Sequence, residues 1–158
     1  MRRRKTRYTL IHKYGEDILK SEKFQKQDEY IQHGNITVKQ HCISVANASI
    51  KLAERLHIKY QRRALVRGAL LHDYFLYDWH LPHKENNWHG FRHANIALKN
   101  AVKEYKLDKY EKEIIKKHMW PLTLVPPKCR EAWIVNIADT YCSLLETIHF
   151  HKNLRPRS

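Results

Sequence analysis

Apolar residues recur at helical spacing through most of this chain, and few residues interrupt the pattern. Between Ile36 and Leu56, the apolar positions Val38, Cys42 and Val45 lie three or four residues apart, which is the repeat of one helical face. The 158 residues include 4 glycines and 5 prolines, too few for the many tight turns of an all-β fold. The sequence therefore predicts an all-α fold, a compact bundle of five to seven helices with no convincing strand.

The helical pattern divides the chain into six segments. The predicted helices cover residues 15–31, 36–56, 60–73, 91–105, 109–119 and 131–150. A chain of this length is expected to form one domain, with its core between about residues 30 and 150. We expect residues 1–14 and the tail from Lys152 to be basic, mobile ends of that domain.

For two of these helices, the sequence predicts which residues are exposed and which are buried. In the third helix, Arg62, Arg63 and Arg67 are expected to face water or phosphate. The apolar positions of the last helix are expected to form its buried face, and they are Ile134, Val135, Ala138, Tyr141, Leu145 and Ile148.

Basic residues dominate the charge of the chain. Lys and Arg outnumber Asp and Glu by 30 to 16, which gives a formal net charge of +14. Such an excess attracts phosphate groups on nucleotides, on nucleic acid or on an anionic membrane surface. The three cysteines, Cys42, Cys129 and Cys142, lack CxxC spacing and predict buried thiols. Without an apolar signal segment or a membrane-spanning run, we expect a cytoplasmic protein with no membrane partner.

A short apolar run, Ala69-Leu70-Leu71, ends abruptly in the adjacent pair His72 and Asp73. An imidazole nitrogen and a carboxylate oxygen are ordinary ligands of Zn, Fe and Mn. A His-Asp pair that closes a helix also occurs as a capping or surface feature. This pair follows directly on core residues, however, where an unpaired charge would be costly. The position therefore favours a metal site near the end of the helix.

Further candidate ligands lie on other predicted helices, each at the margin of an apolar face. They are His41, His93, His118 and Asp139. A border histidine such as His41 can equally be a core-edge residue that is satisfied by a hydrogen bond. Helices that pack by their apolar faces would bring all these margins around one cavity. Four His and two Asp suit one or two divalent ions (Fe, Mn, Zn, Mg, Ni or Co), with Asp73 shared between two octahedral ions.

The ordered set resembles the signature of the HD-domain metal-dependent phosphohydrolase superfamily. The matching motifs are VKQHCISVAN around His41, ALLHDY around His72 and Asp73, and IVNIADTYC around Asp139. Members with two metals add two histidines, matched here by His93 in HGFRHANIAL and His118 in IIKKHMW. His89, four residues before His93, is an alternative to it. The resemblance spans residues 30–150 and implies an HD-like helical bundle.

The resemblance also implies hydrolysis of a phosphoester by a metal-activated water, with Asp73 at the centre of the reaction. Many relatives place a Lys or Glu shortly after the doublet, where this chain has Phe75-Leu76-Tyr77. Asp78, His80 and Lys84 are candidate substitutes, and we expect Asp78 and Lys84 to be catalytic. Candidate phosphate contacts are His33, Lys84, Arg92 and Lys117, and candidate stacking residues for a base are Trp79, Trp88 and Trp120.

Three functions remain open from the sequence. The first is a phosphohydrolase acting on a small phosphorylated substrate, with a nucleotide expected. The second is a catalytically silent HD-type domain that binds a nucleotide. The third is a basic helical module that binds RNA or DNA, although Lys and Arg are spread along every helix and no helix-turn-helix or zinc-finger spacing occurs. The sequence does not specify the metal, the substrate or the oligomeric state.

Overall fold

The computed structural model describes residues 2–75 and 89–154, with side chains for residues 5–32, 34–75 and 93–150. Seven α-helices lie within this part of the chain: α1 Arg2–Leu19, α2 Glu22–Lys26, α3 Val38–Arg55, α4 Arg62–Leu71, α5 His89–Glu104, α6 Lys109–Lys117 and α7 Arg130–Leu154. The predicted all-α bundle is confirmed. None of the described helices combines the length and the apolar character that crossing a bilayer requires.

Helix α4 is the centre of the bundle. It packs against α1, α3, α6 and α7, and every residue from Ala64 to Leu71 is buried. A helix that is covered on all sides must be apolar nearly all round, which the sequence of α4 satisfies. At Gly68 the helix approaches α6 so closely that an added Cβ would lie 2.8 Å from the Cβ of Ile114. The end of α4, and the His-Asp pair that follows it, therefore lies inside the core.

Arg67 is an exception to the apolar character of α4, and the expectation that it faces water is wrong. Its side chain is 5% exposed, and it pairs with Asp17 on α1 and with Glu111 on α6. A buried guanidinium needs such partners because an isolated charge in the core would be strongly unfavourable. Arg62 and Arg63 are exposed, as predicted.

The N-terminal region differs most from the sequence-based expectation. Helix α1 begins at Arg2 rather than near residue 15, and the predicted helix over 15–31 is broken after Leu19. Ile11 and Ile18, seven residues apart, are both buried and anchor α1 to the core. Ser21 ends the pattern because its side chain caps the short helix α2 by accepting a hydrogen bond from the backbone of Phe24.

A small hairpin follows α2 and a short 3-10 helix, Gln27–Glu29. Strands β1 (Ile31–His33) and β2 (Ile36–Thr37) pair antiparallel around Gly34, whose φ of 60° suits the tight turn. The expectation of no strand is wrong here. Strands of three and two residues are too short to show the alternation that identifies a strand in sequence.

Two further expectations are corrected by burial. On α7, Ile134, Val135 and Ala138 are buried as predicted, but Tyr141 and Ile148 are exposed. The three cysteines are free thiols, as predicted, with Cys42 and Cys142 buried and Cys129 partly exposed.

The tight α4–α6 contact gives a test of the fold. Gly68→Ala removes a flexible residue from a helix, but its Cβ meets the branched, backbone-attached Cβ of Ile114. We expect a net destabilisation of about 1–3 kcal/mol, measured by chemical denaturation. Gly15→Ala is the matched control, since its Cβ meets only the end of the flexible Leu70 side chain at close range. A Gly68→Ala protein as stable as Gly15→Ala would contradict this packing.

Candidate metal centre

Five helices converge with the predicted ligands at their inner margins. The residues are His41 on α3, His72 and Asp73 at the end of α4, His93 on α5, His118 at the end of α6, and Asp139 on α7. Five of the six are buried, and the side chain of Asp139 is 15% exposed. Polar and charged groups at this depth must be satisfied by one another or by a bound ion.

Helix ends fix the position of several of these side chains. A capping box between Thr37 and Gln40 starts α3, so that His41 falls at the beginning of the helix. A second capping box, between Asp108 and Glu111, starts α6 and leaves His118 as its C-cap residue. His72 is likewise the C-cap residue of α4. His41, His72 and His118 therefore sit near helix termini, whereas Asp139 lies within α7.

The first group of ligands surrounds one oxygen of Asp139 and one of Asp73. The Nε2 atom of His41 lies 3.0 Å from Oδ1 of Asp139, and Nε2 of His72 lies 3.6 Å from the same oxygen. Oδ2 of Asp73 lies 3.5 Å from Nε2 of His72 and 3.9 Å from Nε2 of His41. His41, His72 and Asp73 lie close enough together to hold one cation, and Oδ1 of Asp139 lies beside the two histidine nitrogens.

The second group of ligands surrounds the other oxygen of Asp73. Oδ1 of Asp73 lies 3.2 Å from Nε2 of His93 and 3.3 Å from Nε2 of His118. The two imidazole nitrogens lie 2.8 Å apart. Asp73 thus belongs to both groups, with one carboxylate oxygen turned towards each.

Backbone carbonyls determine the tautomers of the His72 and His118 imidazole rings. Nδ1 of His72 donates to the carbonyl of Ala69 at 2.8 Å, and Nδ1 of His118 donates to the carbonyl of Ile115 at 2.9 Å. A carbonyl only accepts, so the proton on each ring must be at Nδ1. The Nε2 atoms are therefore the ones that can present a lone pair to the cluster, as a metal ligand requires.

The buried polar atoms fit a bound cation. Nε2 of His72 and Oδ1 of Asp73 are buried without a hydrogen-bond partner. Leaving such atoms unsatisfied is costly, and a divalent cation between them would remove the cost. Imidazole nitrogen and carboxylate oxygen are the donor types that Zn, Mn and Fe accept. The residues of the cluster therefore fit a divalent metal site.

The electrostatics of the cluster support the same conclusion. Burial lowers the pKa of His41, but hydrogen bonds to Asp139 and Glu146 outweigh it and raise that pKa to about 10. Burial raises the pKa of Asp73, but the positive charge of His72 and the close contacts of His118 and His93 hold it well below its usual value. Burial lowers the pKa of His118, so the positive charges that balance the ionised carboxylates without metal lie on His41 and His72, whose pKa values are raised, and a metal ion can replace these charges.

Two residues of the cluster were not predicted from the sequence. Oε2 of Glu146 accepts a hydrogen bond from Nδ1 of His41 at 2.9 Å, and Nε2 of Gln32 donates to Oδ2 of Asp73 at 2.7 Å. Glu146 follows Asp139 by seven residues, two helical turns on the same face, so its spacing could have identified it. Gln32 lies in the short strand β1, for which the sequence offered no signal.

Outside the described residues lie Asp78, His80, Lys84, Trp79 and Trp88, as do the side chains of His33, His89 and Arg92. Of the remaining candidates, Lys117 is partly exposed next to His118 in the sequence. Trp120 packs edge-on against Trp133, with ring centroids 4.8 Å apart. That contact gives Trp120 a packing role within the bundle.

Comparison with known proteins identifies the family. The family model described as "HD domain" matches residues 38–144, a stretch that includes all six predicted ligands. The chain therefore belongs to the HD-domain family, within the superfamily of metal-dependent phosphohydrolases. No curated protein and no solved structure gave a significant match.

Glu146 gives a test of how the centre is supported. Glu146→Gln removes the negative charge that faces Nδ1 of His41, so the ring loses basicity and orientation as a ligand. We expect the affinity for Mn²⁺, measured by isothermal titration calorimetry, to fall about 10-fold or more. Glu104→Gln is the matched control, since Glu104 pairs with Lys23 on the surface. Equal affinities of the two variants would argue against this role for Glu146.

Proposed function

We propose that this protein is a metal-dependent phosphohydrolase that cleaves a phosphoester of a nucleotide or a related small phosphate compound. The observation that carries the proposal is the division of the buried cluster into two groups that share the Asp73 carboxylate. Sharing one carboxylate is the arrangement expected of a two-metal site that holds the attacking and leaving oxygens of a phosphoryl group. Membership of the HD-domain family supports the same chemistry.

The number of protein ligands would leave coordination positions of each ion open for substrate. His41, His72, Asp139 and Oδ2 of Asp73 would hold one ion, and the second group would hold another through His93, His118 and Oδ1 of Asp73. Four and three protein ligands are fewer than the six positions of an octahedral ion. When bound, divalent ions supply a water of lowered pKa and neutralise charge on the phosphoryl oxygens.

The protein's own groups keep the centre rigid and correctly ionised. Glu146 holds the Nδ1 proton of His41, and backbone carbonyls hold those of His72 and His118. Gln32 donates to Asp73 and so restricts the rotation of the shared carboxylate. Because neither ring nor carboxylate must reorient when substrate arrives, little reorganisation is needed during the reaction.

The substrate and the proton donor are part of the proposal. The net charge of +14 favours a phosphorylated, negatively charged ligand. Asp78 and Lys84, which follow the His-Asp doublet in the chain, are the proposed groups that act at the leaving oxygen.

A catalytically silent nucleotide-binding domain is the alternative to the enzyme. It would use the same centre to hold a ligand without hydrolysing it.

A screen of nucleotides and phosphate esters with Mn²⁺ and Fe²⁺ tests the proposal. We expect about one to two equivalents of metal in the reconstituted protein and release of phosphate from at least one compound. Asp73→Ala should lose both metal and activity, the latter by at least about 100-fold, since Asp73 belongs to both ligand groups. Glu16→Ala, at an exposed carboxylate of α1 that pairs with Lys20, is the control.

Two results would contradict the proposal that this protein is an enzyme. A reconstituted protein without bound metal would exclude the metal centre. A protein that binds metal and nucleotide but releases no phosphate with any compound would be the silent domain instead.

Alanine substitutions at His93 and His89 decide which of the two is a ligand. Nε2 of His93 lies 3.2 Å from Asp73 Oδ1, so His93→Ala should remove one of the two ions. We expect His89→Ala to keep the wild-type metal content, measured by elemental analysis after reconstitution. The opposite pattern would assign the second group to His89.

A further inference from the structure

One face of α7 is apolar and uncharged although it is exposed. The side chains of Ile137, Tyr141, Leu144 and Ile148 are 52%, 54%, 58% and 39% exposed. We call these four residues the α7 stripe. The other exposed positions of α7 between residues 137 and 148 are Thr140 and Thr147. Three turns of this helix therefore face outward without any charged side chain.

The exposed face of α6 has a different composition from that of α7. On α6, the exposed positions are all lysines: Lys109, Lys112 and Lys116. The net charge of this chain is +14, so its surface is rich in basic side chains. Solvation in water does not explain why one exposed helix face lacks charged side chains. Contiguous apolar patches on a protein surface typically mark a contact with another molecule.

The spacing of the α7 stripe suits pairing with another helix. Its residues are separated by four, three and four positions, which is the alternation of a coiled-coil seam. The stripe is about 16 Å long from Ile137 to Ile148. In an antiparallel pair related by a two-fold axis, Ile137 would face Ile148 of the partner subunit, and Tyr141 would face Leu144 of the partner subunit. The stripe is therefore complementary to itself.

A second exposed apolar segment begins beside the same helix. Leu122, Leu124 and Val125 are 53%, 93% and 50% exposed. The segment follows Trp120, whose ring packs on Trp133, one turn before Ile137 on α7. Together, the seven exposed side chains present roughly 600 Å² of apolar surface. That area is somewhat below the roughly 800 Å² that each partner buries in a stable complex of standard size.

We propose that the α7 stripe and the segment Leu122–Val125 form the surface through which two copies of this chain associate. The outward face of α7 is opposite the face that carries Asp139 and Glu146, because residues 139 and 146 lie about half a turn from the stripe. Two copies can therefore join without blocking the metal centre. The modest area is typical of a reversible dimer.

The lack of charge favours a second copy over other partners. An anionic membrane surface would require basic side chains alongside the apolar ones, and an acidic protein would require cations opposite its own charges. The exposed face of α7 provides neither between residues 137 and 148. A second copy presents an equally uncharged face, so association does not bring the basic surfaces of two +14 chains into the contact.

Sedimentation equilibrium of the full-length protein over a range of concentrations tests the proposal. We expect wild-type protein to shift from monomer to dimer as concentration rises. Leu144→Glu places a charge at the middle of the stripe, and it should weaken dimerisation at least about 100-fold. Val102→Glu is the matched control, since Val102 is also apolar and is 45% exposed on α5. It should dimerise like the wild type.

Folding of each variant is checked by circular dichroism and thermal unfolding, and Tyr141→Glu provides an independent second variant on the stripe. A wild-type protein that remains monomeric at the highest soluble concentration would overturn the proposal. Dimers that persist unchanged in both Leu144→Glu and Tyr141→Glu would overturn it as well, since they would have to form through another surface.

Discussion

The buried carboxylate of Asp73 is the constraint on which the rest of the structure depends. A negative charge in the core is tolerated only when positive or donating groups surround it. Here the rings of His72, His93 and His118 and the amide of Gln32 converge on it. Each of these groups comes from a different part of the chain, so the positions of α4, α5, α6 and the hairpin are tied to one side chain. Removing the carboxylate leaves the side-chain amide of Gln32 without its acceptor and the three rings without the charge that they surround.

Helical spacing, chemical type and the resemblance to HD domains predicted, from the sequence, six side chains that the structure brings together. His41 and Asp139 each border an apolar face, and packing of those faces necessarily brings the borders together. The burial of polar side chains that depend on contacts with residues distant in the chain was not predictable in the same way. Arg67 reads as a surface residue until Asp17 and Glu111, 50 and 44 positions away in the chain, are placed beside it. Gln32 depends on a hairpin too short to show a periodic pattern.

Helix α7 joins the two functional conclusions. Its inner face carries Asp139 and Glu146, which contact His41, whereas its outer face carries exposed Tyr141 and Leu144. The sequence pattern alone assigned Tyr141 to the core, because an apolar residue at helical spacing is normally buried within its own domain. An apolar residue that is instead exposed on a regular stripe is the signature of a surface that another molecule covers. The disagreement between pattern and burial thus located the proposed contact.

The most direct test of the central claim is anomalous diffraction from crystals of the protein loaded with Mn²⁺, recorded near the manganese absorption edge. Because both groups of side chains share the Asp73 carboxylate, we expect two anomalous peaks about 3.5–4 Å apart, one near each of its two oxygens. One peak would lie among His41, His72 and Asp139, and the other beside His93 and His118. Anomalous density located away from Asp73, or absent from the cluster in fully loaded protein, would contradict the account.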